Sequence, residues 1–389
     1  MSADTIEYNV SAPLAVPLQE QGLPRIFGAP ARYVQGVGTV DQAGHYFSRL
    51  GLKRTAVLLS ARSLEAEGGR VVRSAQDSGL SAEILTFGGE CSFEEIDKHV
   101  TAVREFAEPV DGLVAVGGGK VVDAGRAIAR RLDMPVVVVP SLASNDAPCA
   151  AVSVIYTPEG VTADAEIYDE SPLLVLVDTE VIASADARFL VAGMGDAMAT
   201  WYEARACAGN PQGVNVFGAR PTLAATALAR LCADTIYAQG QQALHAVQAA
   251  TVDAALEEVV EANTLLSGLG YESGGLAVCH AVAQGYTLLE QVHQHYLHGE
   301  MVAMGVLAQL MLESDRTEAV RAAKFFAGVG LPVHLGQLGL SPADEESVGA
   351  VVGGALAFPY LVNMPFSVDS GALRQAILDA DALGRGVAD

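Results

Sequence analysis

The sequence predicts an α/β domain built on a parallel sheet, followed by an all-α helical domain. A length of 389 residues is enough for two or three hydrophobic cores. In the first half, short apolar runs alternate with stretches of helical spacing, whereas long Ala-, Leu- and Glu-rich stretches dominate the second half. We expect an N-terminal extension over residues 1–25, the α/β domain over 26–183 and the helical domain over 184–389.

The elements of the first half follow from runs of β-branched and aliphatic residues and from the apolar spacing between them. Their alternation implies right-handed crossovers and a sheet covered by helices on both faces. The predicted strands are 55–59, 82–87, 112–116, 135–139, 151–156 and 173–177, and the predicted helices are 65–78, 93–106 and 121–132. A turn is expected around residues 157–160, and the lone Gly-Val-Gly at residues 36–38 is interpreted as another.

The second half shows no convincing strand pattern, and its helical stretches indicate a bundle. The predicted helices cover residues 188–208, 223–239, 249–267, 275–292 and 299–313. Where an α/β domain meets a helical domain, the cleft between them is a common place for ligands.

Charge and composition exclude several classes of function. The net charge of −23 repels phosphate backbones, so we expect neither nucleic-acid binding nor docking to anionic membranes. No uninterrupted apolar stretch is long enough for a membrane span. The five cysteines form no C-x-x-C pair, and no basic residue precedes Arg25 as it would in a secretory signal. We therefore expect a reduced, cytoplasmic protein.

A glycine-rich loop joins a predicted strand to a predicted helix at Gly117, Gly118 and Gly119. Glycines let a diphosphate approach the backbone closely, and the positive end of the following helix attracts its charge. The loop is not a P-loop, because Val121 follows Lys120, and it is not a complete G-x-G-x-x-G fingerprint. If this loop binds a diphosphate, the first half is a Rossmann-like dinucleotide-binding domain. The alternative is that the loop is a tight turn that binds no ligand.

The end of the first predicted strand bears on the choice of cofactor. An acidic residue there often binds the ribose 2′-hydroxyl, whereas an arginine suits a 2′-phosphate. Ser60 and Arg62 stand at this point without an acid, which favours tolerance of NADP; a solvated Arg62 is the alternative.

Asp196, His280 and His298 form a candidate metal site in the second half. One carboxylate and two imidazoles suit Zn²⁺ or Fe²⁺, and three protein ligands leave a position open for substrate. The alternatives are a helix cap at Asp196, a hydrogen-bonded core histidine at His280 and a helix cap at His298. His293 and His295 are two residues apart, so they cannot share a helical face and are expected at the surface or the cleft mouth.

Asp146 lies in a Ser- and Asn-rich segment just after the predicted strand 135–139. Ligands bind at the carboxyl edge of an open parallel sheet, so this carboxylate could accept hydrogen bonds from a polyol. An Asx turn before Pro148 is the equal alternative.

Long segments of the chain resemble the glycerol dehydrogenases of the iron-containing (group III) alcohol dehydrogenase superfamily. The likeness covers nearly everything after residue 25. The matching segments are VAVGGGKVVDAG, SLASNDAPCAAVSVIYTPEG, VDTEVIASADARFLVAGMGDAMATWYEARAC, LEEVVEANTLLSGLGYESGGLAVCHAV, HGEMVAMGVLAQLML and VNMP. The resemblance implies the dehydroquinate synthase-like architecture, with a metal between a dinucleotide-binding domain and a helical domain.

By position, the resemblance assigns Asp196, His280 and His298 as zinc ligands and Asp146 as the acid that contacts the substrate hydroxyls. It also implies a homo-oligomer, often of eight subunits. The expected cofactor-binding residues are Gly117, Gly118, Gly119, Lys120, Asp123, Ser141, Ser144, Val152, Val154 and Tyr156.

One departure from the family lies beside a predicted ligand. The usual HAxHNG pattern reads HAVAQG at residues 280–285, so Ala283 replaces a histidine that is often near the substrate. This change bears on polyol specificity and on the path of the proton. His293 or His295 is a candidate for the missing imidazole.

The resemblance implies metal-dependent, reversible oxidation of glycerol or a related vicinal diol to the hydroxyketone, with NAD or NADP. One alternative is an NADPH-dependent 2-oxo acid reductase, which Arg62 favours and Asp146 disfavours. Another is a phosphate-substrate relative such as glycerol-1-phosphate dehydrogenase, which the single lysine of the second half, Lys324, disfavours. A catalytically inactive nucleotide-binding relative is the third, because Ala283 departs from the family pattern.

Overall fold

A computed structural model describes residues 13–16, 22–158 and 160–388, so most of the expected N-terminal extension lies outside the described residues. Six strands form one parallel sheet in the order β1-β8-β5-β4-β2-β3, and β6 and β7 pair separately as an antiparallel hairpin. The strands of the described residues are β1 (Tyr33–Gly36), β2 (Arg54–Leu59), β3 (Ser81–Thr86), β4 (Gly112–Gly117), β5 (Val136–Pro140), β6 (Val152–Tyr156), β7 (Thr162–Ile167) and β8 (Leu174–Asp178).

One turn prediction and one strand prediction need correction. The Gly-Val-Gly segment does not form a turn alone, because Tyr33–Gly36 is an edge strand paired in parallel with β8 and the turn comes after it. The predicted strand 151–156 exists as β6, but it pairs with β7 outside the parallel sheet. Strand β7 has the sequence TADAEI, which lacks an aliphatic run and therefore gives no strand signal.

Helices cover both faces of the parallel sheet, as expected. Strand β4 is buried along its whole length, which explains its continuous small and aliphatic sequence GLVAVG. The helices of this half are α1 (Ala43–Arg49), α2 (Ala61–Leu64), α3 (Glu67–Asp77), α4 (Phe93–Arg104), α5 (Gly119–Arg131) and α6 (Thr179–Ala183).

The second half is helical. Its helices are α7 (Ala187–Gly209), α8 (Leu223–Gln248), α9 (Ala254–Glu261), α10 (Ser267–Gly274), α11 (Val278–Thr287), α12 (Glu290–His293), α13 (His298–Leu312), α14 (Arg316–Val329), α15 (Glu345–Leu356) and α16 (Ser370–Ala388). The predicted helix 249–267 starts too early and is not one α-helix, because α8 ends at Gln248, α9 begins only at Ala254, and a π-helical turn follows at Ala262–Leu266. The predicted helix 275–292 begins later, because Gly275 adopts a φ of +103° that ends the preceding helix.

The strand order places the glycine loop at a reversal of the sheet. From β2 the chain moves outward to β3, then returns to the other side of β2 and continues through β4 and β5. Strand order reverses between β2 and β4, and open parallel sheets bind ligands beyond the carboxyl ends of strands at such a point. Among the described residues, none of the helices combines the length and apolar character that crossing a bilayer requires.

Candidate active site

Helices α7 and α13 approach closely enough to bring two predicted metal ligands together. A Cβ on Gly195 would overlap the carbonyl oxygen of Gly299, and a Cβ on Gly299 would overlap that of Ala192. A side chain at either glycine would push the helices apart. Asp196 and His298, each next to one of these glycines in sequence, therefore become neighbours in space.

Asp196, His280 and His298 converge beside the cleft from α7, α11 and α13. Asp196 Oδ1 lies 3.3 Å from His280 Nε2 and 3.4 Å from His298 Nε2. Tetrahedral zinc with bonds of about 2.1 Å holds its ligand atoms about 3.4 Å apart. Asp196 Oδ1 is also buried without a hydrogen-bond partner, which is costly unless a cation binds it. The donor atoms and their spacing fit a divalent zinc or iron ion.

Glu203, two turns after Asp196 on α7, orients His280. One Glu203 oxygen accepts a hydrogen bond from His280 Nδ1 at 2.6 Å. The other accepts from the backbone amides of Ala277 and His280 at 2.8 and 2.9 Å. With its proton on Nδ1, His280 presents a free lone pair on Nε2 to a metal.

The charges around the three predicted ligands shift their pKa values in different directions. Burial alone would lower the pKa of His280, but the Glu203 and Asp196 carboxylates outweigh it and raise this pKa well above its usual value. Burial lowers the pKa of His298 against the opposing charge of Asp196. Burial would raise the pKa of Asp196, but the imidazoles of His298 and His280 overcome it and lower this pKa. An anionic Asp196 and a neutral His298 are the forms that ligate a metal, whereas His280 must release the proton on its Nε2 when a metal replaces it.

The loop after β5 brings Asp146 to the same place. Its backbone amide donates to Asp196 Oδ2 at 3.1 Å, which fixes the carboxylate with Oδ1 towards the two histidines. Asp146 Oδ2 is itself buried without a partner. Burial and the negative charge of Asp196 raise the pKa of Asp146 above its usual range. This carboxyl group is therefore available to a bound hydroxyl.

Two asparagines hold this loop. Asn263, in the π-helical turn, donates from Nδ2 to the carbonyl oxygens of Ala143 and Leu190 at 2.9 and 3.1 Å. The local Asx turn is made by Asn145, whose Oδ1 accepts from the Ala147 amide at 3.3 Å. The Asp146 side chain therefore does not form the Asx turn that was the alternative to a role in ligand binding.

The glycine loop begins at the end of β4 and runs into α5. Gly117 ends the strand, Gly118 precedes the helix, and Gly119 is its first residue. The first turn of α5 carries no acidic residue and has no side-chain cap. The amides of Val121 and Val122 donate to the carbonyl of Gly118, so the amides that precede them are the ones available to an anion. A Cβ on Gly119 would lie 2.8 Å from Asn145 Nδ2, which explains the absence of a side chain there.

Two charged residues predicted to bind the cofactor are engaged by other protein groups. Lys120 forms an ion pair with Glu90 and lies 5.7 Å from the ring centre of Tyr156. The Asp123 carboxylate forms a buried ion pair with Arg126 at 2.6 Å. Burial raises the pKa of Asp123 to about 6 in spite of Arg126.

A cavity of about 610 Å³ lies between the two halves of the molecule. His293 and His295 line its wall, as do Ile167 of the hairpin and Tyr360 near the C-terminus. The predicted site residues that line it are Gly119, Lys120, Asp123, Asp146, Val152, Val154, Tyr156, His280 and His298. Five others are not among its lining residues: Gly117, Gly118, Ser141, Ser144 and the fully buried Asp196.

The position at which the family pattern has a histidine is not accessible from the cavity. Ala283 is fully buried and does not line the cavity, whereas the next residue, Gln284, does. His293 Nε2 is hydrogen-bonded to the carbonyl of Gly160 at 2.7 Å, and His295 Nδ1 to a carbonyl of α12 at 3.0 Å. Each candidate replacement thus has one ring nitrogen bound to the backbone.

Sequence reasoning missed three residues that support the site: Glu203, Asn263 and Arg126. The seven-residue spacing of Asp196 and Glu203 places both on one face of a helix and was a usable signal. Asn263 and Arg126 reach carbonyl oxygens more than twenty residues away in sequence or on another element, and no local pattern indicates such contacts.

Together, the fold and the site define a class of protein. A parallel sheet with a glycine loop at its switch point faces, across one cavity, a helical half with an Asp-His-His set suited to a metal. This organisation is typical of two-domain, metal-dependent oxidoreductases.

Comparison with known proteins gives the particular family. Residues 30–179 match the family described as iron-containing alcohol dehydrogenase. The chain is 41% identical over 363 residues to glycerol dehydrogenase of Citrobacter freundii, and this alignment covers 93% of this chain and 98% of that protein. It is 43% identical over 358 residues to glycerol dehydrogenase of Thermotoga maritima, and this alignment covers 92% of this chain and 96% of that protein. The chain belongs to the iron-containing alcohol dehydrogenase family of oxidoreductases.

A solved structure agrees with this placement. The crystal structure of a probable glycerol dehydrogenase from Sinorhizobium meliloti superposes with a TM-score of 0.86 at 39% sequence identity. The superposition covers 93% of this chain and 99% of that one, so the similarity extends through both halves.

Proposed function

We propose that this protein reversibly oxidises glycerol or a related vicinal diol to the hydroxyketone, with Zn²⁺ or Fe²⁺ and a nicotinamide cofactor. One observation carries the proposal. The metal-ligand set and the unpaired Asp146 carboxylate lie beside the same cavity that the start of α5 lines. The names of the relatives, glycerol dehydrogenases at about 40% identity, support a polyol as the substrate.

The helical half holds the metal, and the substrate binds between the metal and the Asp146 loop of the sheet half. When bound, the metal supplies a Lewis acid for the substrate oxygen and the nicotinamide accepts the hydride. Asp196, His280 and His298 hold the ion and leave a position open. Asp146 accepts a hydrogen bond from a second hydroxyl, which accounts for a preference for diols.

The sheet half holds the cofactor. The backbone amides around Gly118 and Gly119 bind the diphosphate at the start of α5. Val152, Val154 and Tyr156 of β6 form a largely apolar wall for the nicotinamide and exclude water from the reacting groups. We infer that NAD is the cofactor and that exposed Arg62, at the start of α2, permits NADP as well.

The cavity does not favour a phosphorylated substrate. Among the described residues, its lysine and arginine lining side chains are Lys120 and Arg188. Lys120 is paired with Glu90, and Arg188 with Glu300 at 2.7 Å, so neither charge is left for a phosphate. The buried Asp146 carboxyl group likewise disfavours a 2-oxo acid, because it offers no positive charge to the carboxylate of such a substrate.

A spectrophotometric panel tests the proposal. Reduction of NAD and of NADP is followed with glycerol, 1,2-propanediol and 2,3-butanediol, before and after chelation and after addition of Zn²⁺ or Fe²⁺. We expect diol oxidation that chelation abolishes and a metal restores. Faster reduction of 2-oxobutanoate with NADPH than turnover of any diol would identify a 2-oxo acid reductase. Competitive inhibition by phosphate would identify a phosphate site. If the purified protein contained no metal and turned over no substrate, it would be an inactive relative.

The resemblance to the family extends the proposal to a homo-oligomer, often an octamer, in the cytoplasm. The five cysteines are free and buried, which agrees with a reducing compartment. Light scattering of the purified protein tests the assembly, and a monomer at working concentration would contradict it.

A further inference from the structure

Arg126 is a buried cation in the middle of the helix that follows the glycine loop. It is 2% exposed. Burying a guanidinium is unfavourable unless it is paired and hydrogen-bonded. Both terminal nitrogens of Arg126 have partners, whereas its Nε is buried without one. Its Nη2 donates to Asp123 Oδ1 and its Nη1 to the carbonyl oxygen of Ala147, both at 2.6 Å.

These two acceptors belong to different parts of the cavity wall. Asp123 is one turn before Arg126 on α5, and its own carbonyl accepts from the Ser153 hydroxyl of β6 at 2.8 Å. The ion pair therefore sits where the helix of the glycine loop meets the strand that supplies Val152 and Val154 to the cavity.

Ala147 follows Asp146 directly, so a hydrogen bond to the Ala147 carbonyl helps to fix the position of the Asp146 loop. The loop is held from the helical side through the Asp146 amide on Asp196 and through Asn263 on Ala143. Arg126 holds it from the sheet side. Of these three side-chain attachments, the one made by Arg126 joins the loop to the helix that begins at the glycine loop.

We propose that Arg126, paired with Asp123, is a positioning residue that sets the Asp146 carboxylate at a fixed distance from the nicotinamide wall. The proposal rests on the proposed function. Arg126 does not line the cavity; it acts through the backbone of residues 145–147. Its planar fork spans two acceptors at once, which the single charged nitrogen of lysine does not do as well.

The central experiment replaces the ion pair without leaving a buried charge. Arg126→Met alone would strand Asp123 and threaten folding, whereas the double variant Asp123→Asn, Arg126→Met is neutral and of similar volume. We expect this double variant to keep its thermal unfolding temperature and its bound metal. Its NAD affinity is measured by fluorescence, so that kcat is compared at saturating NAD. We expect kcat for the best diol to fall about 100-fold, because small misplacements of a reacting partner have effects of this size.

Arg126→Lys is the conservative variant and keeps the charge beside Asp123. We expect its kcat to lie between those of the wild type and the double variant, about 10-fold below the wild type. The matched control is Arg131→Met, Glu166→Gln, which removes an ion pair between α5 and β7 that does not touch residues 145–147. We expect this control to keep wild-type kcat.

The outcomes separate the inference from the function it rests on. Unchanged kcat in both Arg126 variants, or an equal loss in the control, overturns the positioning role. A double variant that loses kcat only in proportion to lost metal or lost NAD binding also overturns it. If the wild-type protein turns over none of the diols, the proposed function itself fails.

Discussion

The two walls of the cavity are built to bind their ligands by different means. On the helical side, side chains from three helices supply donor atoms, and a buried partner such as Glu203 fixes their orientation. On the sheet side, the glycine loop supplies backbone amides, and the first turn of α5 carries no acidic side chain. Removing a donor side chain should therefore impair metal binding on the helical side. Adding a side-chain atom near the glycine loop should impair cofactor binding on the sheet side.

The largest effect should come from removing a donor atom on the helical side. His298→Ala takes away one of the three proposed metal ligands, and we expect the metal content of the purified protein to fall sharply. Diol oxidation should fall about 10³-fold, because Lewis-acid stabilisation is worth several kcal/mol. Metal analysis and steady-state kinetics measure both effects. His245→Ala, an exposed histidine on α8, is the control and should change neither.

NAD affinity sharpens this first comparison. The His298→Ala variant leaves α5 untouched, so its NAD dissociation constant should stay within about twofold of the wild type. A variant that retains both metal and turnover would show that the ligand assignment is wrong.

A second test concerns the seam between the two walls. Glu272 of α10 is fully buried, its Oε1 accepts from the Ala151 amide at 2.5 Å, and its Oε2 has no partner. Burial raises the pKa of Glu272 to about 7. Between the unfolded pKa, near 4.5, and this value, the folded state keeps a proton that the unfolded state has lost. This carboxyl group therefore destabilises the fold progressively as pH rises through that window.

Glu272→Gln removes the titration while keeping the shape. The difference in unfolding free energy between variant and wild type should grow in favour of the variant by about 3 kcal/mol from pH 4 to pH 8. Urea unfolding at a series of pH values, with metal held constant, measures this. Glu258→Gln, at an exposed glutamate of α9, should give a flat difference. A flat difference for Glu272→Gln would show that burial does not control this group.

Residue type explains how much of the site the sequence predicts. Two histidines and an aspartate are visible as metal-binding chemistry, and three glycines after an aliphatic strand are visible as an anion loop. The geometry that makes them a site comes from contacts distant in sequence. The approach of α7 to α13, allowed by Gly195 and Gly299, is one example; the two glycines lie more than a hundred residues apart.

The elements that the sequence does not predict share a weak local signal. Strand β1 has four residues and ends in glycine, so only its pairing with β8 makes it a strand. Strand β7 is polar and is formed by its partner β6. The π-helical turn at Ala262–Leu266 lies inside a continuous helical pattern, and the apolar periodicity does not distinguish it from the helices on either side.

A third, smaller effect should follow from changing a partner of a ligand rather than the ligand. In Glu203→Gln, the amide nitrogen can donate to His280 Nδ1, which moves the imidazole proton to Nε2 and blocks the ligating atom. We expect the zinc affinity to fall about 10- to 100-fold, measured by competition with a chelator. Glu313→Gln, at a glutamate paired with Arg205 at the end of α13, is the control. Equal zinc affinities for all three proteins would limit Glu203 to packing.

The smallest effect should come from adding one carbon on the sheet side. The Cβ of Gly119→Ala would lie 2.8 Å from Asn145 Nδ2, and this amide must move before the start of α5 can keep its conformation. We expect the KM for NAD to rise about 10-fold while metal content stays unchanged, because the added atom changes shape and removes no donor. Gly353→Ala in α15 is the control, since a Cβ there meets nothing within 4 Å. If Gly119→Ala released the metal while NAD binding stayed intact, the two walls would not be independent, and the contrast between a side-chain site and a backbone site would have to be abandoned.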